Sequence, residues 1–232
     1  MSISIYENME ILKEQVVKKC LFKFYFLLSL TFIPTIISII IGINSNNFFQ
    51  IVNNKIFMII SFIISIAIIF YLNSKKKDDS YLNLSLLMLF GFITGMYLTP
   101  LINQTLKISN GSTIIIFTLS LTFIVFLAMS LLSRFVKNVS FLSSFLFIGL
   151  IILICVSLFN VFYQSYFLQS IISGVGVFIF SLYILLDTRL MMMEIQICQT
   201  VSQFSAIPYV LNIYLDLVNL FISLLNLFSS KK

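Results

Sequence analysis

Histidine and tryptophan are both absent from this chain of 232 residues, and charged residues make up only 9% of it. Without histidine there is no zinc-protease motif, and carboxylates are left as the obvious proton-active groups. Cysteine is scarce as well. Cys20, Cys155 and Cys198 fall in three separate segments and give no disulfide framework. Three prolines and seven glycines supply no Pro-rich or Gly/Ser linker, and no internal repeat is visible. Pro34 and Pro100 fall inside apolar segments and are expected to kink helices there. The chain therefore reads as one domain.

What is present is apolar: 60% of the residues, with a mean hydropathy of +1.10. A soluble domain does not have this composition, so an all-α polytopic membrane protein is expected. The continuous apolar runs lack period-2 alternation, which argues against a β-barrel. A spanning helix needs about 20 residues. The charges divide the chain into runs of that size, and the 49-residue run 138–186 holds two, turning near Asn160–Ser165. Seven transmembrane helices follow, at 24–43, 56–73, 81–103, 113–133, 141–163, 168–187 and 207–228. A tail at 1–23 precedes them, 188–206 is a loop, and 229–232 is a short end. Tyrosines near the span ends, such as Tyr71 and Tyr163, serve as the interfacial aromatic belt.

Lysine and arginine set the orientation. Ten basic residues fall on the side of the N-terminus, among them Lys75, Lys76, Lys77, Arg134, Lys137 and Arg189, against four on the other side. The N-terminus is therefore expected in the cytoplasm. The net charge of +6 follows from topology, so the expected partner is the lipid bilayer and not nucleic acid. Residues 1–23 mix Glu7, Glu10 and Glu14 with lysines and carry no small-residue cleavage site, so no cleaved signal peptide is expected.

Six of the eight acids lie in the tail or in predicted loops, which leaves Asp187 and Asp216 near hydrocarbon. In the seventh span Asn212, Asp216, Asn219, Ser223 and Asn226 recur at four and three residues, one face of a helix. The sixth span carries a matching face: Gln169, Ser173, Gly176, Phe180, Tyr183 and Asp187. An intramembrane acid is costly and normally faces the protein interior. The seventh span with its Asp and three Asn is only marginally stable alone, so it is expected at the centre of the bundle, its polar face against that of the sixth. Asp187 is expected at the end of its helix, at a depth similar to Asp216. Two carboxylates held close cannot both ionise cheaply, so they would share a proton and titrate as a unit. Deprotonated, they would repel or bind a hard cation such as calcium, with Asn212 and Asn219 adding carbonyls. The bland alternative is that Asp216 only hydrogen-bonds between helices. Gly91 and Gly95 form a GxxxG pair whose expected role is close helix packing.

Four segments carry a resemblance: GFITGMYLTPLI (91–102), SRFVKNVSFLSSFLFIGL (133–150), SGVGVFIFSLYILLDT (173–188) and NIYLDLVNLFISLLNLF (212–228). Together they resemble the Bax inhibitor-1/YccA-like family of seven-helix membrane proteins. The resemblance implies two functions. Some bacterial members are pH-sensitive calcium leak channels, and their paired aspartate sensor falls on Asp187 and Asp216. The YccA branch is a substrate and modulator of FtsH, a membrane-anchored protease that pulls on a cytoplasmic tail, here residues 1–23. Both imply a bacterial inner membrane, no catalysis by the protein itself, and no cofactor beyond transient calcium. Family channels also carry an arginine near the cytoplasmic end of the second helix. The nearest residues here are Lys75, Lys76 and Lys77, a possible basic latch, although lysine does not reproduce a bidentate arginine clamp. An intramembrane aspartyl protease is disfavoured because neither aspartate lies in a GxGD motif. A transporter would call for inverted repeats, and none is visible.

Overall fold

The computed structural model describes residues 2–74 and 81–229, and every regular element among them is helical. The order is α1 (Ser2–Asn44), α2 (Asn46–Val52), α3 (Lys55–Ser74), α4 (Tyr81–Leu106), α5 (Gly111–Leu132), α6 (Val139–Tyr163), α7 (Tyr166–Ile197) and α8 (Ala206–Ser229). All but α2 are long and apolar enough to cross a membrane, giving seven spans. In hydrocarbon each backbone donor must find its acceptor within the chain, and an α-helix achieves this locally. Hydroxyls follow the same rule. Thr31, Thr94, Thr118 and Ser181 each donate to the carbonyl four residues earlier, at 2.6–2.8 Å.

Most boundaries shift by one to three residues, and two differ by much more. First, α1 continues back through the expected tail to Ser2. The lysines and glutamates there are good helix formers, and Glu14 pairs with Lys18 one turn on, at 2.7 Å. Second, the expected loop after Asp187 is helical as far as Ile197. The segment 188–197 is rich in Met, Leu, Arg, Glu and Gln and contains no glycine or proline, so nothing stops the helix. Glu194 therefore lies on a helix, where its carboxylate accepts a bond from the Tyr209 hydroxyl, at 2.5 Å. The short α2 occupies an expected loop. Ser45 caps it by accepting from the Phe48 amide, and Val52 is buried. Lys75, Lys76 and Lys77, the expected basic latch, lie outside the described residues.

The chain divides into two compact units, residues 1–99 with 191–211, and residues 100–190 with 212–232. In the first, α1 and α4 approach through glycines. A Cβ added at Gly91 would sit 2.6 Å from the Thr31 carbonyl oxygen, and one at Gly95 would strike the Thr35 carbonyl. The Thr35 hydroxyl donates to the Gly91 carbonyl at 2.9 Å, tying the helices where they are closest. The GxxxG pair is thus a packing device.

In the second unit α6 and α7 form an antiparallel hairpin. Leu146 and Leu153 on α6 pack with Ile172, Ile179 and Leu186 on α7. Its tip is the expected polar turn. The Asn160 amide donates to the Gln169 side chain at 3.0 Å, and its carbonyl oxygen accepts from the Ser165 amide at 3.1 Å. Gln164 takes the left-handed conformation that reverses the chain (φ 50°). The most enclosed of the spans is α8, 67% buried along its apolar window against 11% for α6. The expectation of a central seventh span agrees with that.

Candidate functional site

The polar face of α8 follows from its spacing. Asp216 and Ser223, seven residues or about two turns apart, are both buried. Asn212, Asn219 and Asn226 lie beside them, half-buried. On α7, Ser173 is buried, while Tyr183 and Asp187 are half-buried. The two faces meet within the second unit. Gly176 opens the space that Ser223 fills, since a Cβ at 176 would lie 2.6 Å from the Ser223 Oγ and 3.3 Å from its Cβ.

The same pairing of helices brings the acids together. Asp187 and Asp216 are near enough to interact electrostatically, and the Tyr183 side chain feels both. Tyr183 was legible on the α7 face one turn before Asp187, but nothing in its spacing marked it as a neighbour of Asp216. Asp216 is 7% exposed, and its Oδ2 has no hydrogen-bond partner. An unpartnered buried carboxylate oxygen is costly. That cost can be met by a proton shared with Asp187 or by a cation, and either removes the repulsion between the two charges.

Position along the helix is where Asp187 differs from expectation. Asp187 does not end its helix; it lies ten residues before Ile197 (187 to 197). Asp216 lies ten residues after Ala206 (206 to 216). At about 1.5 Å per residue, each acid is roughly 15 Å from its helix end. Along its own helix each acid is thus about equally far from that end. The dipole at the end of α7 fades within the last turn, so it does not act on Asp187.

No group of three His, Cys, Asp or Glu side chains converges among the described residues. A cation at the pair would draw on two carboxylates and on amide carbonyls such as Asn212 and Asn219.

The contact at Gly176 gives a testable number. Gly176→Ala presses on a small hydroxymethyl group that can rotate, so a loss of about 1 kcal/mol is expected, near the lower end for overpacking. Gly176→Leu should lose about 3 kcal/mol. Thermal unfolding of the purified protein reads both, and Ser223→Ala in the Gly176→Ala background should recover part of the first. Equal stability of Gly176→Leu and the parent would remove this contact from the account.

Comparison with known proteins follows the same outline. A family model described as "Inhibitor of apoptosis-promoting Bax1" matches residues 17–232. An uncharacterized membrane protein of Vibrio cholerae is 32% identical over 84% of this chain and 85% of its own length. An uncharacterized protein of Campylobacter jejuni is 37% identical over 56% of each chain, so the match spans little more than half of that relative. Bax inhibitor 1 of Drosophila melanogaster is 28% identical over 62% of this chain and 58% of its own.

Proposed function

The chain belongs to the Bax inhibitor-1 family of multi-pass membrane proteins, and from that premise we propose that Asp187 and Asp216 form a proton sensor controlling a pH-dependent leak of calcium or another cation. The observation that carries this reading is the buried, unpartnered Oδ2 of Asp216 beside a second carboxylate. Sharing one proton, the acids hold α7 and α8 together. Without it they repel or take up a cation, and the contact between the helices changes. On this reading the protein resides in the bacterial inner membrane with its N-terminus in the cytoplasm. It has no catalysis of its own, and calcium passes through as cargo.

The test is calcium flux from proteoliposomes holding the purified protein, followed from about pH 5 to pH 8. Flux that varies with pH is expected. No flux at any pH overturns the leak.

A second reading has its own observation. Ile11 and Leu12 are exposed on the first part of α1, ahead of the buried Cys20. An exposed stretch such as this is one that FtsH could grasp, which makes the protein a substrate and modulator of that protease. Deleting residues 2–19 should then lengthen its half-life several-fold in cells containing FtsH. An unchanged half-life counts against this alternative.

A further inference from the structure

The α5–α6 end of the second unit carries positive charge that neither proposed function uses. Arg134 and Lys137 are exposed on the connection between α5 and α6. Arg189 comes to the same end on α7, because the neighbouring Leu186 and Leu190 belong to the cluster that packs against Val139 and Leu142 at the start of α6. Asp187 is close in sequence but not in direction, since two residues on a helix are about 200° apart. Asp187 faces α8. Arg189 follows Ile171 by eighteen residues and Phe178 by eleven, about five and three turns, and so continues their stripe. Both are exposed, at 45% and 59%, as lipid-facing residues are.

Nearer Arg189 that side of α7 is enclosed, with Leu182 half-buried and Leu185 buried; Arg189 is half-buried, and its Nε is buried and has no hydrogen-bond partner. The Ser130 Oγ, in the last turn of α5 at this same end, is also buried and unpartnered. An arginine fork, two further cations and an unpartnered hydroxyl at one end of the unit are donors of the kind that suits a phosphate oxyanion. The flanking side chains are apolar and exposed, Phe135 at 77% and Phe141 at 69%, as suits contact with acyl chains. We infer that Arg189, Arg134 and Lys137 bind the headgroup of an anionic phospholipid at the end of the unit where α5 joins α6. Basic pockets between transmembrane helices hold such headgroups elsewhere.

The experiment uses the full chain in a neutral detergent, titrated with phosphatidylglycerol or phosphatidylcholine, with bound lipids counted by native mass spectrometry. Phosphatidylglycerol should be retained in preference. Each cation neutralised should weaken that retention about fivefold, the effect of one basic residue near an anionic lipid surface. Arg189→Gln tests the fork. Arg134→Gln with Lys137→Gln tests exposed side chains whose loss leaves the packing intact. Lys107→Gln, at the opposite end of the unit, should change nothing. Equal retention of the two lipids overturns the site, as does an Arg189→Gln protein that still prefers phosphatidylglycerol to the same extent. Full displacement of phosphatidylglycerol by millimolar inorganic phosphate would mean a free-anion site instead, and also overturns it.

Discussion

Asp216→Asn is expected to flatten the pH profile of cation flux from proteoliposomes while leaving the protein folded. Asparagine keeps the size of the side chain and can still hydrogen-bond, but it carries no titrating proton. The repulsion from Asp187 is gone at every pH. One shared proton can shift a two-state equilibrium by at most about tenfold per pH unit. The parent's response should stay within that bound, and the variant's should be flat. Asp187→Asn should do the same. The double variant should differ little from either single one, because removing either acid already abolishes the interaction. A flux that follows pH equally in Asp216→Asn and the parent would show that the pair is not the sensor. A steeper response than one proton allows would require further titrating groups.

Gly95→Ala is expected to lose about 3 kcal/mol of stability, the upper end of the range for overpacking. The size follows from what the new methyl would meet. At Gly176 the neighbour is a serine side chain that can turn away. At Gly95 it is the Thr35 carbonyl, with the Ser38 Cβ at 2.8 Å and the Thr35 carbonyl carbon at 3.1 Å. Backbone cannot yield without moving α1 along its length. Gly174→Ala is the control, since nothing lies within 4 Å of the Cβ it would add. Thermal unfolding in detergent should separate the two variants by many degrees. If Gly95→Ala and Gly174→Ala unfold together, α1 and α4 do not depend on that approach.

Much of this was legible in the sequence, for a physical reason. Charge is so costly in hydrocarbon that the apolar runs between charged residues locate the seven spans, although α1 and α7 continue as helices through the charges beside them. Four-and-three spacing put the polar stripe on one face of α8, but on that face only Asp216 and Ser223 are buried, while Asn212, Asn219 and Asn226 are half-buried. The end of α7 was less legible. Arg189, Met191–Met193 and Glu194 look like a loop when charge is the guide, but to a helix they are favourable residues. The placement of Asp187 at a helix end came from taking charge as the guide there. The Cβ-level contacts of Gly176 and Gly95, and the proximity of Tyr183 to both acids, depend on how helices approach. No single-helix periodicity carries that information.

The hydroxyls that bond back to their own helix have a consequence for how this sequence can diverge. Thr31, Thr94, Thr118 and Ser181 satisfy themselves and ask nothing of a neighbouring helix. Exchange for alanine at such sites leaves no orphaned partner, so drift there is nearly silent. Ser38, Ser173 and Thr188 bury hydroxyl oxygens that make no such bond. These two groups of hydroxyls look identical as letters. Only the second should vary in step with its surroundings when sequences of this kind separate.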